Sequence, residues 1–223
     1  MCGRFTLSTP VQTLAELFDV KEKAALPPRY NIAPTDPVLA VRVPSESANR
    51  ELALLRWGFV PAWAKEIGVG NRMINARSET VATSPAFRAA FRRRRCLIPA
   101  DGFYEWQRLE RGKQPFFIHM RDEQPFAFAG LWEIWEGGDG AVVESCTIIT
   151  TEPSDLVRPV HDRMPVILDP EHYELWLDPR QKPDRLQALL RPYAADKMVA
   201  EPVSTVVNNP ANDVPECIAP LAA

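Results

Sequence analysis

Apolar residues recur along this chain at two spacings. In four places they fall three or four apart, the spacing of one helix face. Thr9-Pro10 precedes Leu14, Leu17 and Phe18, and Ser84-Pro85 precedes Phe87 and Phe91, with Arg92–Arg95 beyond. Asp169-Pro170 precedes Tyr173, Trp176 and Leu177, and Pro183 precedes Leu186, Leu189 and Leu190. A capping Ser, Thr or Asp followed by Pro is a helix-start signal, because proline fixes a helical φ where no N–H is needed.

Elsewhere the apolar residues form β-branched and aromatic runs of strand length: Val38–Val43, Leu52–Phe59, Phe116–Met120, Phe126–Trp132, Val142–Thr150 and Met198–Val207. Phe103–Trp106 reads as a further strand leaving an Asp101-Gly102 turn. Helices are few and do not alternate with strands. The pattern predicts an α+β fold, one strand-rich domain over residues 1–223. Its antiparallel or mixed sheets curl around one core, with a few peripheral helices.

Composition adds three points. The 223 residues are 46% hydrophobic and 25% charged, ordinary for a globular chain with a sizeable core. The 22 prolines are well above the ~5% norm and are scattered along the chain, not gathered in a tract, so they mark rigid turns and not a linker. The net charge of −3 argues against binding by bulk positive charge, but it is unevenly spread. Residues 1–113 carry 18 Lys and Arg against 11 Asp and Glu, or +7; residues 114–223 carry 8 against 18, or −10.

Cys2, Cys96, Cys146 and Cys217 form no C-x-x-C pair and make no metal spacing with His119, His161 or His172, so neither a metal nor a cofactor is expected. No signal peptide and no membrane-length apolar run is visible. Free thiols in the cytoplasm are the expectation.

Five segments carry candidate chemistry. Removal of Met1 makes Cys2 a 1,2-aminothiol, whose amine and thiol both hold useful free-base populations near neutrality, at reference values of about 8 and 8.5. Such a group captures an aldehyde as a Schiff base and closes it to a thiazolidine; the thiol could instead attack an amide. Glu105 stands between Tyr104 and Trp106. Facing inward it is a candidate acid or base; facing outward it is a solvated carboxylate. His161 lies in a polar loop beside Asp162 and Arg163, as a proton donor or as a loop pin. Asn75 and Arg77 share a face if their segment is a strand, and a polar sheet edge has the same pattern. Arg56–Trp63 is an aromatic, proline-rigid loop suited to base stacking or to core packing, the latter for Trp57. The run Arg92–Arg95 is read as the solvated end of a helix.

Taken in order, M-C-G-R-F at 1–5, Y-N-I-A-P-T at 30–35, R-W-G-F-V-P-A-W at 56–63, I-N-A-R-S-E-T at 74–80, C-L-I-P-A-D-G-F-Y-E-W at 96–106 and V-H-D-R-M-P at 160–165 closely resemble the SOS-response-associated peptidase (SRAP) family. Members are also described as abasic-site processing proteins. The resemblance runs from Cys2 to about Asn212 and is slight over 20–29, 45–51 and 213–223.

It implies a barrel-like α+β fold with a basic DNA groove, and covalent capture of abasic sites in single-stranded DNA, in the cytoplasm and on the nucleoid. It casts Cys2 as nucleophile, Asn75 as positioner of the amine and sugar, Glu105 as general acid/base, and His161 as the aid to ring opening and proton transfer. Arg4, Arg77 and Arg163 would meet phosphates, Trp63 the bases, and Asn31, Pro34 and Thr150 would line the groove. A monomer is expected, without metal or cofactor. Some relatives carry a second aromatic after the loop tryptophan, whereas Ala64 follows Trp63 here, which leaves any preference for single-strand/duplex junctions open. Two other readings are an N-terminal-nucleophile cysteine peptidase or autoprotease, and a non-catalytic single-stranded DNA binder.

Overall fold

The computed structural model describes residues 2–21, 26–44 and 49–221. Met1, whose removal the aminothiol chemistry requires, lies outside the described residues. In chain order the elements are β1 (Phe5–Leu7), α1 (Val11–Phe18), β2 (Arg29–Ile32), β3 (Pro37–Arg42), β4 (Glu51–Trp57), β5 (Asn75–Arg77), α2 (Arg88–Arg93), β6 (Arg95–Ala100), β7 (Gly102–Arg108), β8 (Lys113–Met120), β9 (Phe126–Glu136), β10 (Val142–Thr151), β11 (Met164–Pro165), β12 (Ile167–Leu168), α3 (Tyr173–Leu177), α4 (Pro183–Gln187) and β13 (Met198–Pro202).

The strands make two sheets. In the larger, β4 pairs with β3, β3 with β6, β6 with β9, β9 with β10, and β10 with β4 in parallel. That circuit closes on itself, so a five-stranded barrel forms and its strands expose no unpaired edge to one another. Strands β5, β11 and β12 attach to β10 and β9 from outside the circuit. The second sheet runs β13-β8-β7-β1-β2. Its inner face packs on the barrel: Phe5 and Phe103 each set an edge against Phe128 at centroid separations of 5.6 and 6.1 Å. Such offset aromatic pairs lock the relative position of two layers more firmly than aliphatic packing does.

The strand-rich α+β expectation holds, with both parallel and antiparallel pairs. All four helical segments exist, but α2 starts at Arg88, after a turn in which the Arg88 N–H reaches the Ser84 carbonyl. The arginine run departs from its reading as a solvated helix end. Arg92 and Arg93 are exposed, whereas Arg95 begins β6 and is buried. Its guanidinium donates to the carbonyls of Trp176, Phe91 and Asp178 at 2.6, 2.7 and 2.5 Å. Those three acceptors satisfy a buried cation that would otherwise be prohibitively costly. The last expected strand, Met198–Val207, stops at Pro202, and a short 3-10 turn follows at Thr205–Asn208.

Candidate active site

Antiparallel pairing of β1 with β7 sets Phe5 opposite Phe103, and the Tyr104 N–H reaches the Arg4 carbonyl at 3.0 Å. Continuing that register toward the chain start sets Gly3 opposite Glu105 and Cys2 one residue beyond, where the Glu105 charge acts on the Cys2 thiol. Both side chains are buried, Cys2 completely and Glu105 to 2% exposure. Glu105 therefore faces inward, which resolves the alternatives left open by strand alternation.

Asn75 arrives from the other sheet. Parallel pairing of β5 with β10 places Asn75 opposite Ile148, Ala76 opposite Ile149 and Arg77 opposite Thr150. Ala76 is buried while Arg77 is exposed, as expected for an Asn–x–Arg strand. The Asn75 Nδ2 donates to the Cys2 carbonyl at 2.7 Å, tying the N-terminal segment to the barrel side. Its Oδ1 is buried without a hydrogen-bond partner among the described residues, an acceptor held ready beside Cys2.

His161 closes the group. Two successive turns shape its loop: the Arg158 N–H bonds the Ser154 carbonyl and the His161 N–H bonds the Val157 carbonyl, both at 2.9 Å. The imidazole Nε2 then sits 3.8 Å from Glu105 Oε2.

Electrostatics divide the labour between these groups. Burial pushes the Glu105 carboxyl up to about 7, so it exchanges a proton near neutrality. Burial also lowers the His161 imidazole. The Arg163 backbone N–H donates to His161 Nδ1 at 3.0 Å, which fixes the neutral ring with its proton on Nε2, facing Glu105. The Asp162 carboxylate lies 2.9 Å from the same Nδ1 and pulls the other way. Asp162 is almost wholly in solvent, so its pull is screened and the burial effect dominates. Burial thus raises the Glu105 carboxyl and lowers the His161 imidazole, and the two groups face each other at 3.8 Å.

The Cys2 thiol departs from the sequence expectation. Burial, helped by the Glu105 charge, raises it well above the ordinary cysteine range. It is a thiol and not a thiolate near pH 7.

The remaining residues form the surroundings. Arg4 donates to Asn31 Oδ1 at 2.8 Å and to the Val207 carbonyl at 3.0 Å. Asn31 is fully buried, and its amide donates to the carbonyls of Asn212, Asn209 and Val207. Arg163 grips Glu79 through both terminal nitrogens at 2.5 and 3.0 Å and donates to the Thr150 carbonyl at 2.6 Å. Thr150 is fully buried. Asn31 and Thr150 therefore bear on the surface through the arginines they hold. Pro34 is half-buried and precedes Thr35, a β-branched residue at φ +79°. That strained conformation is held by a bond from the Thr35 N–H to the Trp57 carbonyl at 2.8 Å.

Trp57 is core, fully buried, and its indole donates to the Ile74 carbonyl at 2.9 Å. Trp63 is the most exposed large apolar side chain among the described residues, at 64%. Its loop is pinned rather than loose. The Val60 N–H donates to Ser145 Oγ at 2.8 Å and the Trp135 indole to the Ala64 carbonyl at 2.7 Å. Gly58 and Gly70 approach so closely that a Cβ on Gly70 would stand 2.4 Å from the Gly58 carbonyl oxygen. Ala64 is buried beside Val60 and Trp135, so position 64 points into the protein in this loop.

Sequence reasoning did not single out Glu79, Asp213 or Asn208. Asp213 holds the N–H groups of Tyr30 and Asn31 and pairs with Arg29, fixing the segment that carries Asn31. Each is an ordinary polar residue whose partner lies far along the chain, and no local signal marks it. Among the described residues, no group of three His, Cys, Asp or Glu side chains is placed to hold a metal ion, and no helix is long and apolar enough to cross a membrane.

The family model for SRAP, "SOS response associated peptidase", matches residues 1–210. The chain belongs to the SRAP family. Among SRAP relatives, it is 46% identical to the Bacillus subtilis abasic site processing protein YoaM, over 98% of this chain and 97% of that one. It is 34% identical to the Xenopus tropicalis abasic site processing protein HMCES, over 87% of this chain and 66% of that longer one. A crystal structure of a Bacteroides thetaiotaomicron protein superposes with a TM-score of 0.89 at 26% identity, covering 99% of this chain and all of that one. The SRAP likeness thus extends along nearly the whole chain, in sequence and in fold.

Proposed function

We propose that this protein recognises abasic sites in single-stranded DNA and captures them covalently through Cys2 once Met1 is removed. The names of its relatives, abasic site processing proteins, support the lesion as substrate. The observation that carries the chemistry is the convergence of Cys2, Asn75, Glu105 and His161 from four separate segments.

The freed Cys2 amine attacks the C1′ aldehyde of the ring-opened sugar, and the carbinolamine loses water as Glu105 or His161 supplies a proton. The thiol then adds across the C=N bond, its proton passing to nitrogen by way of Glu105, and the five-membered thiazolidine closes. One aldehyde and one aminothiol give one ring and one water. Because burial keeps Cys2 as a thiol, the amine acts first. The same fact disfavours the peptidase reading, in which a thiolate must attack an amide. Asn75 Oδ1 accepts from the amine and holds its lone pair toward the sugar. Arg4, Arg77 and Arg163 position phosphates, and Trp63 stacks on a base. The adduct shields the lesion until reversal.

Incubation with single-stranded DNA bearing one abasic site tests this. A denaturation-resistant adduct forms with protein beginning at Cys2, and Cys2→Ala gives none. An absent adduct with correctly processed protein would sink the proposal.

A further inference from the structure

A second groove opens from the catalytic group, with a volume of about 570 Å³. One wall is the end of β7, Trp106, Gln107 and Arg108; the other is the loop carrying Pro153, Arg158, Pro159 and Asp162. His161 lies at their junction, so the groove is continuous with the reaction centre. The Gln107 amide donates to the Pro159 carbonyl at 3.0 Å, and this bond ties the walls together. A hydrogen bond between a β-strand and a proline-bounded loop holds the two walls at a set separation.

A guanidinium stands on each wall. Arg108 is exposed, and its side chain has no ion-pair or hydrogen-bond partner among the described residues. It lies near enough to His161 for its charge to act there. Arg158 reaches Asp155 at 3.4 Å and the Pro153 carbonyl at 3.3 Å. Asp155 is 93% exposed, and so open a pair exchanges readily for another anion. The opposing charge in the groove is Asp162, which is held against His161 Nδ1.

Trp106 gives the β7 wall its aromatic face. Its indole N–H is fixed to Asn208 Oδ1 at 2.7 Å, and the Arg4 guanidinium lies 5.9 Å from its ring. Trp106 also lines a second, more open groove with Arg4, Lys113 and Asn208. A locked aromatic between two cationic grooves is the arrangement that holds single-stranded nucleic acid, with backbone on the cations and a base on the ring.

We infer that this groove is a DNA subsite in which Arg108 and Arg158 bracket a backbone phosphate beside the lesion while Trp106 supports the neighbouring base. The inference rests on the proposed function, and its test separates the two. Cys2→Ala protein, which cannot form the adduct, is titrated with single-stranded DNA carrying a tetrahydrofuran abasic analogue at several salt concentrations. Arg108→Gln/Arg158→Gln in that background weakens binding roughly five- to fifty-fold, and the salt slope falls by about 0.7 for each phosphate no longer neutralised. Trp106→Leu weakens binding without changing the slope, and Trp106→Phe recovers most of the loss. If the double variant keeps the parent affinity and slope while Arg163→Gln loses both, the groove is not a subsite and the proposed function stands. If Cys2-initiated protein neither crosslinks nor binds abasic DNA, the proposed function fails and takes the subsite with it.

Discussion

Cys2 and Cys96 are both wholly buried, and burial lifts both thiols well above the ordinary cysteine range. Their surroundings differ in kind. Cys96 lies in β6 against Gly130 and Ile98, so tightly that a Cβ on Gly130 would stand 2.8 Å from its sulfur. Its thiol fills space. Cys2 lies near three polar side chains: the Asn75 amide bonded to its carbonyl, the Glu105 carboxyl whose charge acts on its thiol, and the His161 imidazole 3.8 Å from that carboxyl. Burial by itself makes a thiol inert. In the proposed mechanism, burial beside Glu105 and His161 makes it a reagent that acts second, after the amine has committed the substrate.

The strongest way to break this contrast is substitution at the two cysteines. Cys2→Ala abolishes the adduct on abasic DNA, while Cys96→Ala retains it and loses about 1–2 kcal/mol of stability as packing is lost. Gel mobility under denaturing conditions and thermal melting read the two effects. Cys2→Ser sharpens the order of events, since the amine remains. It yields a Schiff base, trapped by borohydride and lost without it.

Next in size is Glu105→Gln, which slows crosslinking by about a hundred- to ten-thousand-fold while leaving affinity for the lesion nearly unchanged. The wild-type rate bends near pH 7, where Glu105 titrates, and the variant loses that bend. Stability moves as well. The carboxyl normally ionises near 4.5 and is raised to about 7 here. Between those values the unfolded chain has released a proton that the native state keeps. Wild-type stability therefore erodes as pH climbs through that window, and the erosion is complete above it. Relative to wild type, Glu105→Gln melts higher at pH 8 by a few degrees, roughly 2–8 °C, and scarcely differs at pH 5.

Smaller effects separate positioning from chemistry. Trp63→Ala costs about 1–3 kcal/mol of DNA affinity through lost stacking, with little change in melting temperature because the ring is already in solvent. Asn75→Ala slows capture by roughly tenfold, the worth of about one hydrogen bond, and its defect appears in rate at saturating DNA. A loss of affinity without a loss of rate would reassign Asn75 to DNA binding.

Much of the fold was legible because its signals are local. Proline-started helices and β-branched runs announce themselves, and five of the long strands appear within a few residues of their expected limits. Strand β6 was hidden for a physical reason. Its arginine reads as the end of a helix, yet is buried by three carbonyl acceptors, and its Pro99 sits opposite Ala127 within the sheet. Strands β1 and β2 are three and four residues long and draw their stability from pairing partners far along the chain. At the site, residue type and motif order marked Cys2, Asn75, Glu105 and His161. What the sequence could not carry was the protonation state of Cys2, since that depends on burial by distant segments. Nor could it show that Asn31 and Thr150 lie beneath the surface, because the arginines they hold meet them only in three dimensions.

The central claim is that one residue contributes both its amine and its sulfur to the captured lesion. Intact-mass measurement of the purified adduct, followed by peptide mapping, tests it most directly. The account predicts protein lacking Met1 plus the abasic strand minus one water, attached at Cys2, with that sulfur closed to alkylation and the linkage unchanged by borohydride. An adduct on a lysine, an adduct that retains Met1, or an alkylatable Cys2 sulfur within it would contradict the account.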